Sequence, residues 1–440
     1  MAEKFILDNH HAALFKVEVQ QGLPKWSYIL LFISVLLLLG ASGNMLALFG
    51  YNYAGEGGNA LEKIHPSTLT LILALLAFLA YPQGEEKISY SIFKLGVFPY
   101  LFVSCISIVY TQAILGLPVS GLIVSWFTPG LLLVLLLQVN SKQIKYLAYL
   151  MHGLLLINTI MAIFEYKVGA PLIPAILIDY TGSGEILDMR DWGEMRALGL
   201  FGHPLASTLI CSLYIVACFS LICFKNASRL QIFTMLHCLL ALPLFGGRTS
   251  IAMALVFVGL MCLVRFWLEL VGKGTNYFNV IKIKIAITVA VLALIVAFQM
   301  GMFDQLIDRI EYDNGSGYTR VLAMQILADV SNMELFLGDI HRTLAARQVA
   351  YGTIYGIEIF WVGMVLTYGL ILSFVLFYFT FKMLVLIIKK YGLISCWSIV
   401  FFFVSTSSGV GLVAKSVTFS LLIVVLFCVY HSDEYDKNYW

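Results

Sequence analysis

Long apolar runs, broken by short polar stretches, dominate this chain. About 17–25 consecutive apolar residues are enough for a helix to cross a bilayer. Runs of that kind fall at roughly 27–50, 64–81, 95–113, 119–138, 144–165, 204–224, 230–246, 249–270, 283–301, 356–379, 393–408 and 413–431. The pattern predicts an all-α integral membrane protein with about 12 transmembrane helices, residues 1–440 forming a single polytopic domain. The run that begins at 356 continues to Ile388, which predicts a helix longer than the bilayer needs. The two halves of the chain show no repeat.

The segments 166–203 and 302–355 are too long to be plain connectors. Both are rich in Leu, Ile, Met and aromatic residues, so they are expected to fold. In the second, Gly315-Ser316-Gly317 opens an amphipathic helix predicted over Tyr318–Val330. Another is predicted over His341–Tyr351, closed by Gly352. Near the start, Phe5–Val19 predicts a helix lying flat on a membrane, with His10 and His11 read as solvated. Glu3, Lys4, Asp8, Lys16, Glu18 and Lys25 precede Trp26, so no cleavable signal peptide is expected.

Composition agrees with the pattern. Hydrophobic residues make up 60% and charged residues 12%, with a mean hydropathy of +0.91; a soluble domain carries about 25% charged residues. Lipid is the expected solvent, and a net charge of +2 gives no footprint for nucleic acid. All eight cysteines fall inside apolar runs or at their ends, so neither a disulfide framework nor a cysteine metal site is expected.

Charge supplies an orientation. Twelve spans put both termini on one side. With that side cytoplasmic, 17 of the 27 Lys and Arg residues lie on it, as the positive-inside rule requires. Residue type separates more sharply. Of 18 lysines only Lys63, Lys167 and Lys415 lie outside, whereas seven of nine arginines do: Arg190, Arg196, Arg248, Arg309, Arg320, Arg342 and Arg347. Topology alone does not separate the two. Arginine differs by a rigid, always charged fork that grips phosphate and carboxylate with paired hydrogen bonds. An anionic ligand is therefore expected on the outer face. Both long segments also carry more acids than bases, so about half of these arginines are expected to pair with neighbours.

At Arg196–Ala206 the chain reads R-A-L-G-L-F-G-H-P-L-A and runs into an apolar span. Gly246-Gly247-Arg248-Thr249-Ser250 stands at another helix start, and Gly315-Ser316-Gly317-Tyr318-Thr319-Arg320 opens the second long segment. Leu337-Gly338-Asp339-Ile340-His341 follows, then Ile357-Glu358, Trp361 and Tyr368-Gly369-Leu370. In order and spacing these stretches resemble the O-antigen polymerase and ligase family of bacterial inner-membrane glycosyltransferases. The resemblance implies a glycosyltransferase type C-like fold, with periplasmic loops at 166–203 and 302–355 and cytoplasmic termini. It also implies an undecaprenyl-diphosphate-linked oligosaccharide as substrate and a chain-length regulator as a further partner. Ligases of the family typically carry His-Asn where this chain has Ile357-Glu358. That favours polymerisation of repeat units (O-antigen, capsule or exopolysaccharide) over transfer of glycan to lipid A core. A lipid-linked sugar flippase or transporter would place charges near the bilayer midplane and often shows repeats. A non-catalytic scaffold would not need the arginine bias.

With such a substrate, fixed guanidinium groups would hold the diphosphate as its charge grows, with no cofactor and no divalent metal expected. Arg196, Arg248 and Arg320 are the leading residues for this, followed by Arg342 and Arg347. The base that takes the acceptor's proton is sought among Glu358, His341 and His203. Each has a plainer reading. Arg248 would anchor its helix to headgroups, His203 would cap the helix beside Pro204, His341 would be a solvated loop residue, and Glu358 would pair with Arg342 or Arg347. His152 and His237 are read as satisfied interior residues, and Phe360, Trp361 and Tyr368 as packing and interface aromatics.

Overall fold

The computed structural model describes residues 22–53, 59–178, 184–187, 196–272, 316–353, 356–407 and 411–431, with isolated positions at 288, 295, 298, 299, 301 and 409. The helix expected over Phe5–Val19, most of the run at 283–301, and Arg190 and Arg309 lie outside them.

The described chain is helical apart from one short ribbon. In order come α1 (Lys25–Gly40), α2 (Gly43–Leu48), α3 (Pro66–Leu79), α4 (Gly84–Ser89), α5 (Phe98–Leu115), α6 (Ser120–Leu136) and α7 (Ser141–Val168). After the ribbon follow α8 (Pro204–Phe224), α9 (Arg229–Phe245) and α10 (Arg248–Leu270). Then come α11 (Ser316–Asp329), α12 (Asn332–Leu337), α13 (Leu344–Ala350), α14 (Phe360–Tyr368), α15 (Leu370–Tyr391), α16 (Leu393–Thr406) and α17 (Thr418–Tyr430). The ribbon pairs β1 (Ala175–Ile178) antiparallel with β2 (Gly184–Leu187), a feature the apolar pattern did not announce.

Among the described residues five helices, α5, α7, α8, α10 and α15, are long and apolar enough to cross a membrane, and α1, α3, α6, α9, α16 and α17 are shorter apolar helices. Large apolar side chains on α10 (Leu255, Leu263, Phe266, Trp267) and α15 (Ile371, Phe374, Phe381) are exposed. A water-soluble surface rarely carries so much contiguous apolar area, and a bundle compatible with a membrane accounts for it. The hub is α8, with 89% of its apolar window buried inside the protein against 22% for α10.

Polar side chains tie the helix ends together at both ends of the bundle. At one end, Asn140 and Gln143 cap α7 reciprocally, and Gln143 also holds the backbone of Leu23 ahead of α1. Ser228 and Gln231 do the same for α9, and Gln231 Nε2 reaches Val429 O at 2.8 Å. The Lys225 ammonium donates to Tyr391 O at the end of α15. At the opposite end, His65 caps α3 and bonds Ala41 O, and Asn44 Nδ2 donates to Gly202 O ahead of α8. The first end carries Lys25, Lys142, Lys145, Lys225, Lys389 and Lys390; the second carries five of the seven described arginines. They are called the lysine end and the arginine end below.

Three expected elements change on folding. The run at 27–50 breaks at Ala41, because Ser42 caps a separate α2. The helix expected over His341–Tyr351 starts only at Leu344, since Asp339 Oδ1 takes the amides of Thr343 and Leu344 and Arg342 is left-handed at φ 54°. The run at 356–379 is not one span. The rings of Phe360 and Phe377 lie 5.7 Å apart, whereas one continuous helix would hold them about 25 Å apart at 1.5 Å per residue. The chain folds back at Gly369, with α14 and α15 as the two arms. Gly369 has φ 85° and ψ 156°, a region that only glycine occupies comfortably. Its backbone presses on that of Gly338, where an added Cβ would strike Thr367 O and the Tyr368 carbonyl carbon.

This contact makes a prediction. Gly338→Ala should lower the melting temperature in detergent much more than Gly352→Ala. Gly352 is also left-handed, at φ 73°, but has open space around it, so its alanine costs only the conformational penalty of about 1–2 kcal/mol. Equal shifts in thermal unfolding would show that the backbone contact does not hold the hairpin.

Candidate functional site

The loop Arg196–His203 leads into α8 without regular structure, and side chains from neighbouring helices fix its backbone. Glu165, fully buried in the last turn of α7, accepts Leu198 N (2.7 Å), Gly199 N (2.9 Å) and Leu172 N (3.1 Å). Asn158, two turns earlier, accepts Leu200 N at 2.8 Å. Ala197 N donates to Leu244 O, and Ser207 Oγ donates to Leu198 O. Gly199, at φ 60°, lies so close to Asn158 that a Cβ would overlap its Oδ1. The Leu-Gly-Leu motif is thus a cradle for backbone amides. None of its amide holders was singled out by sequence. The available signal was an acid and an amide inside the apolar run at 144–165, where polar groups are expensive.

The cradle sets Arg196 and His203 at its two ends. His203 is the cap residue of α8, and its Nδ1 accepts Leu205 N at 3.2 Å. The residue is exposed, with dense protein around its ring. Burial first, and the Arg196 charge second, hold its pKa down to about 4. The neutral ring, with Nδ1 occupied as acceptor, carries its proton on Nε2. It therefore offers a donor and no free lone pair, which weakens the case for His203 as a base. Arg248 begins α10 and is half-buried; Gly247 beside it packs against Thr208 of α8.

A second group forms where α11–α13 fold against the α14–α15 hairpin. Ala323 and Ile326 of α11 bury against Ile357, Val362 and Leu366. The Arg320 Nε lies 3.9 Å from Glu358 Oε2, a loose pair, and that Nε is buried with no hydrogen-bond partner among the described residues. Buried polar atoms are almost always satisfied, so an orphaned guanidinium nitrogen marks a place for an acceptor.

The expected partners of Glu358 are engaged elsewhere. Arg347 donates to the buried carboxylate of Glu334 at 2.9 Å. Burial pushes Glu334 up, yet hydrogen bonds from Arg347, Ser331 and Thr343 hold it down at about 2. Arg342 donates through Nε to Leu115 O at 3.1 Å and lies against Gly116 of the α5–α6 connection. Tyr110 OH donates to Leu337 O at 2.6 Å on the same seam. Arg342 and Arg347 thus lock α12 and α13 onto the bundle. His341 stands exposed on the turn between them. Inside the bundle, His152 Nδ1 meets the Tyr214 hydroxyl at 3.2 Å and His237 Nδ1 meets Phe233 O at 2.9 Å. The structure brings the Arg196 charge near His203 and Arg320 near Glu358.

Fold and site together define a helical protein compatible with a membrane, with short helices packed at its arginine-bearing end. No family model, curated protein or solved structure matches the chain.

The depressed His203 has a measurable consequence. Its ordinary value is 6.5 and its folded value about 4, so between those pH values the unfolded chain binds the proton and the folded chain does not. Stability is therefore lost as pH falls from 6.5 towards 4. His203→Gln should shrink the drop in melting temperature across that window. An unchanged drop would mean that the His203 ring is freely solvated.

Proposed function

We propose that the chain polymerises polyprenyl-diphosphate-linked oligosaccharide repeat units on the membrane face that bears the arginine end. In this reading the arginine end is periplasmic, both termini are cytoplasmic, and the segments 166–203 and 302–355 form the outer cover. The observation that carries it is the grouping of Arg196, Arg248, Arg320, Arg342 and Arg347 at one end while the other end is lysine-rich. The orphaned Arg320 Nε supports it further.

The chemistry follows from the loose pair. An acceptor sugar hydroxyl attacks the anomeric carbon of the donor. A new C–O bond forms, the bond to the diphosphate breaks, and the electron pair leaves with the phosphate. A diphosphate brought to Arg320 competes with Glu358 for the guanidinium. Glu358, 3.9 Å away, is then released to take the hydroxyl proton. His203 contributes its Nε2 hydrogen as a donor, and Arg196 and Arg248 add charge at a helix N-terminus, which favours an anion. Arg342 and Arg347 keep the loop helices seated. Glu358 is thus preferred to His341 and His203 as the base.

Arg320→Lys keeps the charge and loses the fork. Removing one donor that stabilises a transition state costs ~2.7–4 kcal/mol. The variant should insert normally yet leave single repeat units on the lipid carrier in a polymer-length assay. Glu358→Gln should slow polymerisation by roughly 10²–10⁴-fold. Polymer of ordinary length from both variants would remove the pair from the mechanism. Transfer of single units to lipid A core, with no longer chains from the wild type, would instead indicate a ligase.

A further inference from the structure

The eight cysteines are free thiols, and four of them meet in two pairs. Cys223 of α8 and Cys262 of α10 hydrogen-bond through their side chains, and Cys211 of α8 does the same with Cys238 of α9. The chemistry at the arginine end uses neither pair.

Helix register brings Cys223 and Cys262 together. Both α8 and α10 run from the arginine end towards the lysine end. At their starts Gly247 packs on Thr208, where an added Cβ would lie 2.5 Å from the threonine Oγ1. Those two positions are 39 apart in the chain, and so are Cys262 and Cys223. The helices therefore lie side by side in one register from the first contact to the second, a length of about 22 Å at 1.5 Å per residue. Beside Cys223, Trp397 of α16 closes the seam. Its ring stacks on Phe224 and meets Phe257 edge-on, each at 6.2 Å.

Burial distinguishes the two pairs. Cys211 and Cys238 are fully enclosed, and Cys211 Sγ also accepts Asn158 Nδ2 at 3.6 Å. Cys223 is equally enclosed. Cys262 is half-buried: Ala254, Phe257, Met261 and Arg265 are the buried positions of α10, and Cys262 sits at the margin of that stripe. Arg265, one turn further on, bonds Glu269 at 3.0 Å, and its charge reaches Cys223. An accessible thiol, a second thiol against it and a basic group nearby make the setting in which cysteines react, whereas enclosed cysteines stay inert.

We propose that Cys223 and Cys262 are an oxidation site, closed to a disulfide by hydrogen peroxide, that locks α8 to α10. The Cys262 sulfur attacks one peroxide oxygen. The O–O bond breaks, the departing oxygen takes the thiol proton and leaves as water, and Cys262 becomes a sulfenic acid. The Cys223 sulfur then attacks the Cys262 sulfur. An S–S bond forms, the S–O bond breaks, and the hydroxide leaves with the Cys223 proton as a second water. Two thiols are oxidised and one peroxide is reduced to two waters. The link ties the hub helix to α10, the long apolar helix with the least of its length buried in the protein. Nothing in this chemistry requires the polymerase reading.

The test treats purified full-length protein in detergent with hydrogen peroxide while it is folded. The sample is then denatured in N-ethylmaleimide and mapped by mass spectrometry. Wild type should yield a Cys223–Cys262 disulfide peptide that dithiothreitol reverses, with Cys211 and Cys238 still alkylated as thiols. Cys223→Ser should leave Cys262 as a sulfenic acid, trapped by dimedone at about tenfold the wild-type level. Oxidised wild type should melt at a higher temperature than its reduced form, a shift that Cys262→Ser should lose. Absence of the linked peptide from wild type overturns the proposal. Equal dimedone labelling with and without Cys223 does so too, because Cys223 would not then resolve the sulfenic acid. A Cys211–Cys238 link at the same peroxide concentration overturns selection by enclosure, and an unchanged melting temperature overturns the lock. Cys262 is half-buried, so Cys262→Ser keeps the test open if Cys223→Ser does not fold.

Discussion

Three amide protons converge on one buried carboxylate in the last turn of α7, and the arginine end depends on that convergence. Glu165 takes the backbone of Leu172, Leu198 and Gly199. Without it the chain from 196 to 203 would be an irregular strip packed among apolar helices with unsatisfied amides, each costing about 1–3 kcal/mol. With it the strip becomes rigid, α8 starts at a defined point, and Arg196 and His203 gain fixed positions. Asn158, Ser207 and Asn44 extend the same solution along the loop.

The second half of the arginine end obeys the same constraint by other means. Asp339 satisfies the amides at the start of α13, and Glu334 caps α12 while holding Arg347. Gly338 and Gly369 then bring two backbones together more closely than any side chain would allow. The result is a rigid turn at the crown of the hairpin. Arg320 Nε lies 3.9 Å from Glu358 Oε2 and makes no hydrogen bond among the described residues. Tight bonding around a loose pair is what a site needs if a ligand is to exchange partners with it.

The apolar periodicity made most helices legible, because a lipid-facing helix must be apolar along its whole length. Runs at 144–165, 204–224 and 249–270 correspond to α7, α8 and α10 within a few residues. The hairpin at Gly369 was not legible, since α14 and α15 are both apolar and hydropathy does not register a change of direction. The ribbon β1–β2 was hidden for a similar reason: its strands are four residues each, too short for a period to emerge. At the site, the residue types were readable and the pairings were not. Glu358 meets Arg320, 38 positions away, instead of the nearer Arg342 or Arg347. Those two are committed to Leu115 O and Glu334. The uneven placement of arginine and lysine was visible in the sequence.

The account stands on glycosidic bond formation driven by loss of a lipid-linked diphosphate at the arginine end. Its most direct measurement is reconstitution of the purified protein in liposomes with a polyprenyl-diphosphate-linked repeat unit, following glycan length and free polyprenyl diphosphate together. The account predicts a ladder of glycans, with one carrier diphosphate freed for each new linkage. Carrier that crosses the bilayer with its sugars intact, and no new linkage, would contradict it and make the chain a transporter.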